Sequence, residues 1–285
     1  MKFLNSCLPT WLGAAVLCLA AVSPSIAQDK SKLKVIHGPA TAPLKNIAQV
    51  TVPVGYQMYD GATTRALMKA EGEPTSGNEL GMYMPTNGNW SVIFEFDDVG
   101  YVKDDEKDKL DADKLLSAIK RGTEEANKER VSAGHAPLVI VGWEVPPKYD
   151  PQTHNLEWAI RATSEDQPIL NYNTRLLGRK GVMEAVLIVE PAKLEATLPE
   201  FRKMLTGYSF QSGQSYAEFR SGDKVAKYGL AALVLGGAAV GAAKLGLFAW
   251  VAVLLKKGWK LIIIAVGAVA GAIKKVFAKI KGSQQ

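Results

Sequence analysis

A chain of 285 residues with 34 Lys and Arg against 28 Asp and Glu carries a formal charge of +6, which would suit a nucleic-acid partner if the excess lay on a folded surface. It does not: every acid lies at or before Asp223, and the 62 residues from Lys224 onward hold ten Lys among long apolar runs, so these bases flank membrane-type sequence and meet anionic lipid. Between the two ends 23 bases face 28 acids, and both cysteines, Cys7 and Cys18, fall within the first 27 residues, which excludes a disulfide framework or Cys-ligated metal from a domain large enough for an ordinary core.

Residues 1–27 read as a secretory signal: Lys2 gives the positive start, residues 8–22 the apolar core, and Ser25 to Ala27 a small-x-small cleavage site. The competing reading is an uncleaved first anchor. Residues 28–41 read as a polar leader, and strands are expected at 47–52 and 56–59, broken by Pro53 and Gly55. A helix is predicted over 63–71, with Ala66, Leu67 and Ala70 on its inner face and Gly72 closing it. A loop through Pro74, Gly77 and Pro85 follows. Trp90, Val92, Phe94 and Phe96 then alternate on one side of a half-buried strand.

Acids crowd the start of the longest predicted helix, 112–131, where Leu115, Ile119, Gly122 and Ala126 recur at helical spacing. Strands are expected at 138–145 and 156–163 around a turn-rich loop at 146–155, then at 169–177 and 182–189 around Gly178 to Gly181. Thr197 to Glu200 offers a capping box that opens a helix through Phe201 and Leu205, before a strand at 208–210. Hairpins separated by helices, without strict strand–helix alternation, give an α+β class: a mainly antiparallel sheet with packed helices. The domain division is a signal at 1–27, an exported domain at 28–223 and an anchor at 224–285.

Within the anchor, residues 228–255 make a first span of about 42 Å against about 30 Å of hydrocarbon. A second run at 261–277 follows a turn holding Lys256, Lys257 and Lys260, and completes a transmembrane helical hairpin. Gly237 with Gly241, and Gly267 with Gly271, put a small-residue groove on each helix, the candidate helix–helix contact, and Lys244 shares the face of Gly237. A single span, with the rest on the inner surface, is the alternative that better fits the positive-inside rule.

Gly142-Trp143 with Pro146, Tyr149 and Asp150, then Leu156, Trp158 and Ala159, Asn171 to Arg175, Leu177-Gly178-Arg179-x-Gly181, and Gly222 to Gly229 together resemble a bacterial family of membrane-anchored proteins, domain of unknown function 2167. The resemblance runs from about residue 48 to 280. It implies an exported domain fixed to the inner membrane of a Gram-negative bacterium, with the main domain in the periplasm, and carries over no catalytic residue. The closing order of hairpin, helix and short strand also resembles, at the level of fold, the sheet-and-helix sandwich of the photosystem extrinsic proteins.

No convergent catalytic set emerges from the residues. His37, His135 and His154 lack zinc-ligand spacing, no phosphate loop or nucleophile elbow occurs, and the acid pairs lack a calcium-loop pattern. No cofactor or metal is therefore expected. The candidate interaction surface is Trp143, Glu144, Tyr149, Asp150 and Trp158, aromatics beside fixed charges, although the two Trp lie in strands where core burial competes. The reading is a membrane-anchored periplasmic interaction or binding module whose partners are membrane lipids and an envelope protein or its own copies, not nucleic acid. An envelope hydrolase using His135 or His154, and a small transport assembly around Lys244, are the alternatives.

Overall fold

The computed structural model describes residues 33–70, 75–132, 136–165 and 167–236. Among them, eight strands form an antiparallel sheet in the order β1-β4-β5-β6-β10-β9-β8-β7, and β11-β3-β2 form a second, smaller one. The strands are β1 (Val35–His37), β2 (Ala40–Leu44), β3 (Ala48–Val52), β4 (Tyr56–Asp60), β5 (Glu79–Pro85), β6 (Trp90–Asp97), β7 (Val139–Asp150), β8 (Asn155–Ser164), β9 (Gln167–Leu177), β10 (Val182–Val189) and β11 (Tyr208–Phe210). The helices are α1 (Gly61–Ala70), α2 (Ala112–Ser132), α3 (Leu194–Thr206) and α4 (Leu230–Val234).

Strand alternation sends one set of side chains to each face of the large sheet. On one face Val92, Phe94, Tyr172, Ala185 and Leu187 pack against Leu44, Val50 and Val52 of the small sheet and Leu198, Phe201 and Met204 of α3. On the other, α1 covers Met82, Met84 and Ile93 through Met68. The long helix α2 covers the β7 edge through Leu116 and Ile119, while Leu115 joins α4 over Leu156, Trp158 and Val182. The middle strands are thus covered on both faces.

Side-chain caps fix two helix starts. Asp60 Oδ1 accepts from the Thr63 N–H at 2.8 Å and Asp111 Oδ1 from the Lys114 N–H at 3.0 Å, satisfying amides that the first turn leaves open. At the far end of α2, Asn127 pins Leu138 through both backbone groups, at 2.7 and 2.8 Å.

Five sequence expectations are corrected. The leader at 28–41 contains β1 and the start of β2, because pairing with β4 and β3 supplies the ladder that short segments cannot hold alone. The expected loop through Pro85 contains β5, every residue of which is buried. Helix α1 turns Thr63, Thr64 and Met68 inward, with Ala66 and Ala70 exposed, since the two hydroxyls find partners in the Lys34 N–H and the Asp60 carbonyl. The loop at 146–155 is mostly strand: β7 continues to Asp150 through register shifts, and its prolines are tolerated on the sheet's edge. Helix α3 starts at Leu194, a turn before the expected cap, because Leu194 and Leu198 both reach the core. Thr197 is therefore buried inside the helix, and Glu200 instead accepts from Tyr56 Oη and Trp90 Nε1 at 3.1 and 3.2 Å.

After the last strand the chain crosses back over the sheet. Tyr101 and Val225 form a parallel bridge, with Tyr101 N–H donating to the Lys224 carbonyl and Ala226 N–H to that of Tyr101, both at 2.8 Å. Helix α4 comes next, its Leu230 fully buried. Residues 228–234, which the sequence reading assigned to the start of an apolar span, thus pack with the core. Among the described residues no helix is long and apolar enough to cross a membrane.

Candidate functional site

The β7–β8 hairpin carries the five candidate surface residues, and the structure separates them. Trp158 is almost fully buried, with the Arg175 guanidinium 4.9 Å from its ring centroid. Trp143 is half-buried beneath the start of α2, where its Nε1 donates to the Ala112 carbonyl at 3.0 Å. Glu144 accepts from Arg161 Nε at 2.7 Å, a cross-strand pair on the sheet edge. Trp143 and Trp158 pack in one apolar cluster with Tyr149, so the five form no single exposed surface, and Tyr149 and Asp150 lie at the turn joining β7 to β8.

At that turn Asp150 accepts from the Gln152 N–H at 2.8 Å and the Thr153 hydroxyl at 3.0 Å. These bonds, the backbone one first, hold its carboxyl below the usual range. The turn ends with His154 at φ 55°, a left-handed conformation that costs a residue with a β-carbon roughly 1–2 kcal/mol. Its ring is held on both sides. Tyr216 packs on it at 4.3 Å between centroids with the rings tilted by 37°, and Nδ1 lies 3.0 Å from the Tyr149 hydroxyl. That hydroxyl donates to Asp104 Oδ2 at 3.1 Å, so a proton on Nδ1 completes an Asp104–Tyr149–His154 chain. Burial, then the Asp104 charge, raises the Tyr149 phenol well above its ordinary value, so it serves as a neutral donor.

Beside this turn opens a cleft of about 970 Å³. One wall is the hairpin, with Lys148, Asp150, His154 and Glu157; the other is the end of α3 and β11, with Arg202, Tyr208 and Phe210. Tyr172 joins the walls: its hydroxyl donates to Glu157 Oε2 at 2.6 Å and also meets Arg202. The floor of the cleft includes Ser215 and Tyr216. Here Glu218 accepts from the Ser215 hydroxyl at 2.7 Å and the Gly213 N–H at 2.9 Å, bonds that lower its carboxyl to about 2. The cleft thus presents aromatic surface between hydrogen-bonded charges of both signs, an arrangement suited to holding a ligand that combines apolar and polar groups.

A second polar group lies on the opposite face of the sheet. Arg175, 1% exposed, pairs with Glu184 Oε2 at 2.9 Å, and Glu184 stands opposite Glu95 of β6. Burial raises the Glu184 carboxyl, Arg175 opposes the shift, and Asp97 and Glu95 add to it, leaving Glu184 pushed up to about 8. One guanidinium stands among three carboxylates, so the charge of Arg175 does not offset burial and the two neighbouring acids. Nearby, Arg179 Nε and Nη2 clamp Asp223 at 2.7 and 2.8 Å, joining two of the sequence motifs and fixing the chain just before its return over the sheet.

Sequence reasoning missed Glu157, Tyr172, Arg202 and Tyr216, which reach the cleft from four separate segments, and Asp104, which holds the Tyr149 hydroxyl. Arg175 had a signal: a guanidinium within a strand expected at 169–177 requires a partner once that strand is buried. Among the described residues no group of three or more His, Cys, Asp or Glu is arranged to hold a metal. His135, Gly237, Gly241, Lys244, Gly267 and Gly271 lie outside the described residues.

Comparison with solved structures finds the solution structure of cyanobacterial PsbP (CyanoP) from Synechocystis sp. PCC 6803, at 9% identity and a TM-score of 0.36, covering 62% of this chain and 92% of that one. Comparison with curated proteins gives no match. The profile described as "Protein of unknown function (DUF2167)" matches residues 36–267, and the chain belongs to that family.

Proposed function

We propose that this protein is an exported binding module, tethered to the inner membrane of a Gram-negative bacterium through its apolar C-terminal residues, that takes its ligand or partner in the cleft between the β7–β8 turn and α3–β11. The observation that carries this reading is the cleft itself. Its volume of about 970 Å³ lies in the range of binding sites, and Asp150, Glu157 and His154 in its wall are already held by partners, so ordering them on binding costs little. Export and tethering are supported by the signal-like first 27 residues and by the acid-free, Lys-bearing apolar sequence after Asp223.

The test is capture in intact cells. A photoreactive residue at Phe210 or Thr153 of the full chain should give a discrete adduct, and Lys148→Ala with Arg202→Ala should reduce it several-fold without lowering the amount of protein. Adducts no different from those formed at Asn87, on the β5–β6 turn, would refute a specific cleft partner.

The hydrolase reading has one observation in its favour, the Asp104–Tyr149–His154 chain, which leaves Nε2 of His154 as the basic nitrogen. It requires turnover of an ester, peptide or phosphoester by the purified protein that disappears in His154→Ala while the unfolding midpoint stays in place.

A further inference from the structure

Among the described residues Val54, Val131, Val139 and Val141 are the most exposed large apolar side chains, but the segment at 219–228 exposes two more in a fixed setting beside the start of the C-terminal apolar run. Phe219 is 38% exposed and Val225 40%. Neither hangs loose: the Phe219 ring packs on Tyr101 at 4.2 Å between centroids, and Val225 is held by its bridge to the same Tyr101. Around them Arg220, Lys224 and Lys227 are exposed, while the one carboxylate of the segment, Asp223, is occupied by Arg179. Lys224 reaches the Asp98 carbonyl at 2.7 Å with its carboxylate 4.0 Å away, which leaves Arg220 and Lys227 as the cations open to an outside partner.

The residues after this segment limit where it sits. Helix α4 is locked to the domain by Leu230, Leu233 and Val234, each at most 3% exposed, and by Glu106 Oε2, which accepts from the Ala231 N–H at 3.3 Å. The helix rises about 8 Å over its five residues. The apolar run from 237 to 255 begins after two further residues, and its 19 residues would, as a helix, measure about 28 Å, the thickness of a hydrocarbon core. If that run spans, as the proposed function holds, no free linker separates domain from bilayer.

We propose that the pole of the domain formed by residues 219–228 over Tyr101 docks on the phospholipid surface, with Phe219 and Val225 entering the headgroup region and Arg220 and Lys227 meeting anionic phosphate. The domain is then seated on the membrane in one orientation rather than swinging from a tether. An aromatic ring with flanking bases, next to a span, has the chemistry of an interfacial contact. The inference rests on the reading of the C-terminal residues as an anchor.

The full chain, with Cys7 and Cys18 replaced by Ser, is reconstituted into vesicles of phosphatidylcholine and phosphatidylglycerol and labelled with a nitroxide at Val225→Cys or at Asn87→Cys. The β5–β6 turn holding Asn87 lies at the other end of β6, which extends about 26 Å over eight residues. A lipid-borne relaxation agent should relax the Val225 label several-fold more strongly than the Asn87 label. The excess should shrink in vesicles of phosphatidylcholine alone, and Arg220→Gln with Lys227→Gln should remove that dependence on lipid charge. Equal relaxation at both sites in protein that floats with the vesicles and resists alkaline extraction overturns the docking while leaving the anchor in place. Release of the protein by alkaline extraction overturns the anchor reading and the docking together.

Discussion

Replacing Leu230 with Ala separates two descriptions of the apolar sequence after Lys224: part of the domain's core, or membrane sequence alone. Leu230 is fully buried in one cluster with Val102, Leu115, Trp158 and Tyr216. Removing its isobutyl group loses transfer energy and leaves a cavity, which across buried leucines costs about 2–5 kcal/mol. Helix α4 is only five residues long and partial collapse is open to it, so the lower part of that range applies, about 2–3 kcal/mol. In equilibrium terms that is about 30- to 150-fold. With a urea dependence of about 2 kcal/mol per molar, the midpoint should fall by about 1–1.5 M. Tryptophan fluorescence of the full chain in mild detergent reads it, since Trp158 lies in the same cluster. Val54→Ala, at a site 75% exposed, is the control and should shift stability by less than about 0.5 kcal/mol. A Leu230→Ala midpoint as close to the parent as that of the control would refute the packing of α4 in the core.

Three other perturbations have defined outcomes. The Glu184 carboxyl is raised in the folded protein from 4.5 to about 8, so its contribution is full below pH 4.5 and is lost as pH rises through 8; thermal unfolding across that window should show the decline, and Glu184→Gln should flatten it. Asp223 is lowered to about 2, first by its bond from Arg179, and its contribution should therefore be present above pH 3.8 and fade as pH falls towards 2, a loss that Asp223→Asn removes from melting curves in acid. Gly100→Ala meets both a φ of 93° and the Lys224 carbonyl at 2.5 Å from the added carbon, so it should cost about 1–3 kcal/mol in a denaturation midpoint and expose the 224–236 segment to protease.

The parts of the fold that were legible are those whose composition follows one period. Strand β6 alternates because one of its faces holds only aromatics and Val, although both faces are buried from Trp90 to Phe94 rather than one, and α2 repeats because one stripe alone meets the sheet. Strand β5 defeats that reading: buried on both faces and built from Met, Tyr, Leu and a Gly, it has neither alternation nor β-branched residues. The prolines of β7 read as loop because their cost depends on position in the sheet, and on an edge the missing N–H breaks no ladder bond. At the candidate site, sequence pointed to Tyr149 and Asp150 but not to the cleft, whose second wall comes from α3 and β11 some fifty residues on. Nothing local in residues 202–210 marks them as facing a hairpin.

The same limit governs the most consequential stretch of the chain. Leu230, Leu233 and Val234 have the composition of the apolar run after them, and hydropathy alone assigns all of it to one environment. The groups that divide the run come from elsewhere: Tyr101 bonding to Lys224 and Ala226, and Glu106 bonding to Ala231. A carboxylate at the first turn of α4 offsets amides that would otherwise face apolar surroundings unpaired. An added β-carbon at Gly229 would lie 2.4 Å from Glu106 Oε1 and would push that side chain aside. Moving that carboxylate therefore disturbs the start of α4 and, through the loop at 103–109, the Asp104 end of the chain to His154. The start of α4 and the Asp104 end of that chain are thus both set by residues of one short loop.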